Sequence, residues 1–191
     1  FVSNFDAIDR RWIPVKDRWT VVDPGYLKVN GQENSVSSIR EKNLFPDGYV
    51  YEVRMKRKAD TAYPNYLIFY GNPATSLPYG YWDGYYFSIT NWQTYEFLKI
   101  ENQSVAYRSV NGTDAIKPYD WNTVTIRTDY PYIDIWINGE YIGYKNDTSF
   151  RLGYVGIGMA KNDGDYKQPL LVDKAKLTYT DIPPYALPLT D

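Results

Sequence analysis

The chain has 191 residues, room for one domain or two very small ones. Its 21 basic and 23 acidic residues leave a formal net charge of −2, which gives no electrostatic case for nucleic acid or an anionic membrane. Histidine and cysteine are both absent, which excludes Ser-His-Asp hydrolysis, thiolate nucleophiles, imidazole ligation, disulfides and zinc or iron–sulfur centres. The remaining composition is aromatic, with six Trp, 21 Tyr and seven Phe. Tyr and Trp are stiff, amphipathic and strand-favouring, so they suit both sheets and surfaces that stack on flat apolar ligand faces.

The chain opens Phe1-Val2-Ser3 without a basic-then-apolar leader and reads as a mature or excised piece. Short strands are expected at 19–22, 26–29 and 35–40, separated by Asp23-Pro24-Gly25 and Asn30-Gly31 turns. At 49–56, Tyr51, Val53 and Met55 alternate with Glu52, Arg54 and Lys56, the pattern of a half-buried strand. The next strand places Leu67 and Phe69 on one face and Tyr66, Ile68 and Tyr70 on the other. The uncharged run 61–82 carries Pro64, Pro73 and Pro78 and is not a membrane-spanning helix. A long constrained loop is expected over 71–84, followed by strands at 85–90, 95–100, 105–110 and 122–128. Segments 132–137 and 140–144 meet at Asn138-Gly139, the favoured type I′ hairpin. Strands at 153–159 and 170–180 complete an all-β, antiparallel two-sheet jelly-roll sandwich over residues 1–180. The Pro-rich segment 181–191 reads as a C-terminal strap or linker.

The order of these segments resembles the concanavalin A-like lectin/glucanase superfamily. The resemblance rests on Asp47-Gly-Tyr-Val-Tyr-Glu-Val-Arg-Met-Lys, Tyr66-Leu-Ile-Phe-Tyr and Tyr85-Tyr-Phe-Ser-Ile. It continues through Trp121-Asn-Thr-Val-Thr-Ile, Ile133-Asp-Ile-Trp-Ile-Asn-Gly, Gly153-Tyr-Val-Gly-Ile-Gly and Val172-Asp-Lys-Ala-Lys-Leu. The laminin-G-like, levan-binding-module and keto-disaccharide-hydrolase-like branches are the most similar. The resemblance implies a curved ligand-facing sheet and a protein that binds or cleaves glycans, often outside the cell. It also implies one structural calcium between the first and last strands, where Asp6 and Asp173 stand. Calcium takes six to eight oxygens, so these two acids would need carbonyls and waters as well.

Catalysis on glycans needs two carboxyls, about 5–5.5 Å apart for retention and ~6.5–9.5 Å apart for inversion. The glucanase string Glu-x-Asp-x-x-Glu does not occur, and the nearest approximation, Asp134 to Glu140, has a hairpin turn between its acids. Binding is better provided for. Sugars present an apolar face to aromatic rings and a polar rim to carboxylates, amides and guanidinium groups. Between Thr61 and Tyr95 the aromatic residues are dense and the sole charge is Asp83. Trp82 and Trp92 are the expected stacking platforms, with Asp83 accepting sugar hydroxyls. Glu52, Arg54, Tyr70, Tyr86 and Lys99 would complete the rim, although Glu52 and Arg54 also suit a cross-face salt bridge. Trp12, Trp19 and Trp121 read as core or rim staples. Trp136 shares a face with Asp134 and is a second exposed or sheet-packing candidate.

Three glycosylation sequons start at Asn102, Asn111 and Asn146, all near hairpin tips. The expectation is a non-catalytic, lectin-like domain of an extracellular or cell-surface protein, with a glycan as partner. Nucleic-acid binding and membrane insertion are not expected. The alternatives are a structural or adhesive subunit of a surface assembly, which would self-associate or join flanking domains, and a glycoside hydrolase using carboxylates.

Overall fold

Alternation of apolar and polar residues sets the architecture. The computed structural model of the chain describes residues 1–6, 10–30, 35–57, 63–74, 81–161 and 169–180, without the side chains of Ser35, Val36, Trp82 and Lys161. The strap at 181–191 and residues 75–80 of the loop at 71–84 thus lie outside the described residues. Sixteen strands are described in chain order. They are β1 (Val2–Ser3), β2 (Trp12–Lys16), β3 (Thr20–Val22), β4 (Tyr26–Val29), β5 (Ser35–Glu41), β6 (Phe45–Pro46), β7 (Tyr49–Arg57) and β8 (Asn65–Pro73). Then follow β9 (Tyr81–Ile89), β10 (Thr94–Glu101), β11 (Ser104–Gly112), β12 (Asn122–Asp129), β13 (Tyr132–Ile137), β14 (Glu140–Asn146), β15 (Leu152–Lys161) and β16 (Leu170–Tyr179).

They form two antiparallel sheets of eight strands, the jelly-roll sandwich the sequence implies. The first runs β14-β13-β12-β7-β16-β4-β3, with β1 on β16. The second runs β11-β10-β9-β8-β15-β5-β2, with β6 on β15. The apolar half of each alternating strand fills the space between. Tyr51, Val53 and Met55 of β7, Val124 and Ile126 of β12, and Ile133, Ile135 and Ile137 of β13 meet Leu67, Phe69, Phe87, Phe97 and Ile157 from the second sheet. Each fully buried side chain of this size contributes about 1.5–3 kcal/mol. The Tyr51 hydroxyl donates across the gap to the Gly156 carbonyl at 3.1 Å, which satisfies its one polar atom.

Two elements depart from simple alternation. Tyr70 was expected opposite Phe69, but its φ of +50° turns its ring back into the same core, where its hydroxyl hydrogen-bonds Asp47. The register of β8 against β9 shifts at that point, between Phe69 and Asn72. The expected 71–84 loop is also shorter than its turn residues suggest. β8 and β9 continue into it, pairing Asn72 with Asp83 and Pro73 with Tyr81. Strands β1, β2 and β6 lacked a readable pattern because they are short or contain proline; Pro14 is tolerated because β2 is an edge strand.

The two sheets are registered at one side by β14 and β11. Lys145 of β14 donates to the Tyr107 hydroxyl of β11 at 3.1 Å. Just after β14, Asp147 accepts from Tyr85 of β9 at 2.6 Å and from Lys99 of β10 at 3.0 Å. The β13–β14 ribbon is therefore tied to the sheet beneath it, and its outer face is held in place.

Candidate functional site

The outer face of β12, β13 and β14 is the most open aromatic surface among the described residues. Strand parity sends Ile133, Ile135 and Ile137 inward and Tyr132, Asp134 and Trp136 outward. β14 supplies Tyr141 and Tyr144, which are three positions apart and would face opposite sides of a regular strand. A bulge resolves the conflict. Ile135 pairs with Gly143 and Trp136 pairs with Tyr141, so Ile142 is the extra residue and turns toward the core. Gly143 has φ +140°, a conformation that an L side chain rarely adopts.

Two aromatic pairs result. Trp136 and Tyr141 have ring centroids 5.3 Å apart, and Tyr132 and Tyr144 lie 6.1 Å apart. Tyr132, Tyr141 and Tyr144 are 47%, 52% and 61% exposed, so these rings face solvent while braced by one another. Asp134 stands between the pairs on β13. One of its oxygens accepts from the Tyr141 hydroxyl at 3.2 Å. The other lies 3.7 Å from Nε of Arg127, whose guanidinium is also 3.6 Å from Asp129. Loss of hydration, and then the hydrogen bond to Asp134, raise the Tyr141 phenol above its ordinary value, so it stays a donor at neutral pH. The two ion pairs are longer than hydrogen bonds, so the carboxylate and guanidinium keep lone pairs and donors to offer. Stacking faces at two ends with a polar rung between them is a surface that can hold a sugar's apolar face and its hydroxyls together.

The residues picked out from sequence do not converge on one place. Trp92 caps the tight turn between β9 and β10, where its amide donates to the Thr90 hydroxyl, and it is 62% exposed. Asp83 sits toward the opposite end of β9, six strand residues or about 20 Å from the Ile89 end that leads into this turn, and accepts from the Asn102 amide at 2.9 Å. The two cannot touch one sugar ring. The Trp82 side chain lies outside the described residues. Glu52 and Arg54 are on the outer face of the first sheet, where Glu52 pairs with Lys174 at 3.3 Å and Arg54 pairs with Asp173 and lies over the Trp121 ring. Tyr70 is in the core, Tyr86 is buried on the far face of the second sheet, and Lys99 is bound to Asp147 and Glu101. Trp12 and Trp19 are buried staples, as expected. Trp136 and Asp134 were visible from parity. Tyr141 and Tyr144 were missed because only the bulge brings them to one face, and Arg127 because its place beside Asp134 depends on the register of the β12–β13 hairpin.

The second sheet's outer face is the other surface the fold offers. Much of it is closed: Tyr66, Ile68, Tyr81, Tyr86, Leu98 and Ile100 form a buried cluster there with Val15. Glu96 is the one carboxylate among the described strand residues on this face, and it pairs with Arg108 at 2.5 Å. The expected calcium is a poor fit. Asp173 is committed to Arg54, whose positive charge opposes a cation, and Asp6 is exposed with one oxygen beside Gly25. Among the described residues no three acidic side chains gather into a metal-binding group, and calcium wants six to eight oxygens.

No protein-family model and no curated protein sequence matches the chain. Solved structures do. A carbohydrate-binding module, CBM66 from Bacillus subtilis, superposes with a TM-score of 0.69 at 15% identity, covering 87% of this chain and 94% of the module. A Bacillus licheniformis β-glucanase gives 0.71 at 13% identity over 95% of this chain and 98% of the enzyme. A Bacillus subtilis protein of unknown function with a galectin-like fold gives 0.70 at 13% identity, covering 94% of both chains. The chain therefore has the concanavalin A-like jelly-roll fold.

Proposed function

We propose that the chain is a non-catalytic carbohydrate-binding domain of an extracellular or cell-surface protein. The observation that carries this is the solvent-facing β12–β14 platform, where Trp136–Tyr141 and Tyr132–Tyr144 flank Asp134 and Arg127. The fold neighbours support a saccharide as the ligand, since they include a carbohydrate-binding module and a β-glucanase. Binding is favoured over hydrolysis because each carboxyl on these two faces that could serve lies against a cation, Glu96 against Arg108 and both Asp129 and Asp134 against Arg127. A guanidinium beside a carboxylate sets donors next to acceptors, which suits pairing with sugar hydroxyls.

The test is affinity electrophoresis of the chain in gels containing soluble polysaccharides, followed by calorimetry. Retardation with a Kd between about 1 mM and 1 μM, or roughly 4–8 kcal/mol, is the expected result. Trp136→Ala should abolish it while the far-ultraviolet circular dichroism of the sandwich is unchanged. Retardation by no polysaccharide, or full retardation of the Trp136→Ala variant, overturns the reading. Sustained release of reducing ends would replace binding with hydrolysis.

A further inference from the structure

The geometry points to an internal stretch of a neutral glycan chain as the ligand of this platform, lying along β13, and not to a chain terminus or a charged sugar. This rests on the binding reading above and deepens it. Tyr132 and Trp136 are four residues apart on one strand face, about 13 Å by strand rise, and Tyr144 and Tyr141 stand opposite Asp134 and Trp136, so the centres of the two aromatic pairs are about 10 Å apart. That is longer than one sugar ring, so a single residue cannot engage both pairs, whereas an extended chain can stack on each. Asp134 and Arg127 fall midway, where the hydroxyls of the intervening sugar would pass.

The platform has the shape for a passing chain. A terminus is recognised by a concave pocket that encloses it. Here the residues at the two ends of the ribbon, Tyr132 and Asn146 on one side and Glu140 and Tyr141 on the other, are all exposed, so neither end is closed by a wall. Charge argues for a neutral chain. Arg127 is flanked by two carboxylates, Asp129 and Asp134, so a uronate or sulfate reaching the guanidinium would meet like charge on both sides.

Calorimetric titrations with cello-, laminari- and fructo-oligosaccharides from mono- to hexasaccharide, with polygalacturonate as the charged probe, test this. For the ladder that binds, Kd should fall by about tenfold or more from mono- to tetrasaccharide and then level once the span is filled. Tyr132→Ala and Tyr144→Ala should each weaken the tetrasaccharide by about fivefold or more and leave the disaccharide unchanged, because the shorter ligand uses the Trp136 end alone. Polygalacturonate should bind at least about tenfold more weakly. A monosaccharide as tight as the tetrasaccharide, or polygalacturonate as tight as the neutral chain, overturns the internal-chain inference while sensitivity to Trp136→Ala keeps the site. Binding indifferent to Trp136→Ala, Tyr132→Ala and Tyr144→Ala, or no binding by any probe, overturns the site itself.

Discussion

Asp147 ties the β14 edge of the first sheet to the second, and its titration can be followed without a ligand. Burial alone would raise its carboxyl, but hydrogen bonds from Tyr85, Ser149 and Lys99 outweigh that and hold its pKa at about 2. Its side chain is 22% exposed, so solvent screens part of the effect. A depression of this kind is worth about 1.4 kcal/mol per unit, which after screening leaves roughly 1–2 kcal/mol. Because the folded pKa is depressed, the contribution is complete above the unfolded value near 3.8 and is lost as pH falls toward 2. Lys99 shows the mirror case. Loss of hydration would lower its ammonium pKa, but hydrogen bonds to Asp147 and Glu101 raise it, so its contribution is present below the ordinary lysine value and fades at higher pH. Asp147→Asn keeps the shape and an acceptor for Tyr85 but removes the charge. Urea denaturation at pH 7 should show a loss of about 1–2 kcal/mol, and the gap between wild type and variant should close progressively between pH 4 and pH 2. A gap that is absent at pH 7, or that persists unchanged at pH 2, would refute the assignment of Asp147 as an ionised tie between the sheets.

Gly143→Ala should cost about 1–2 kcal/mol in urea denaturation, since φ is +140° and the added methyl group meets no atom within 4 Å, leaving backbone strain as the whole effect. The same variant should alter the near-ultraviolet dichroism of the Trp136–Tyr141 pair; an unchanged signal and stability would show that the bulge does not depend on glycine. Chelation with EDTA should leave the thermal midpoint in place, because Asp173 is already paired with Arg54. A midpoint that rises with added calcium would show that Asp6 and Asp173 hold an ion after all.

The sandwich was legible because its long strands obey period two. β7 reads Tyr51-Glu52-Val53-Arg54-Met55 in sequence and is buried and half-exposed in the same alternation in space. The β13–β14 hairpin was equally plain, with Asn138 and Gly139 both at positive φ as a type I′ turn requires. What escaped was every parity change. Nothing in the identity of Tyr70 announces a left-handed backbone, yet that one dihedral returns its ring to the core. Gly143 was visible as a glycine, but its bulge exists only in relation to the register of β13. The candidate site suffered for the same reason. Trp92 and Asp83 are close in sequence, and the length of the strand between them separates them. Glu52 and Arg54 find their partners on β16, which lies more than 100 residues downstream.

The second sheet's outer face carries one strand carboxylate among the described residues. Glu96 on β10 is directly opposite Ser88 on β9. Facing residues on paired strands have Cβ atoms about 4.5–5.5 Å apart, so a carboxylate in place of Ser88 would stand near the ~5–5.5 Å separation of a retaining glycosidase. A serine occupies that position, and across the sheet edge Arg108 lies against Glu96 as a counter-charge. Alongside, Tyr81 packs edge-on against Tyr86, their ring centroids 5.9 Å apart, and both rings are buried with Ile68 and Leu98. Rings buried in this way, each worth about 1.5–3 kcal/mol, are not presented as stacking faces. The outer face of the first sheet carries no such cover over Tyr132, Tyr141 and Tyr144. Their rings are already presented, the hairpin that carries them is braced through Lys145 and Asp147, and ligand binding there needs little rearrangement. Preorganisation therefore favours the β13–β14 ribbon as the working surface of this domain.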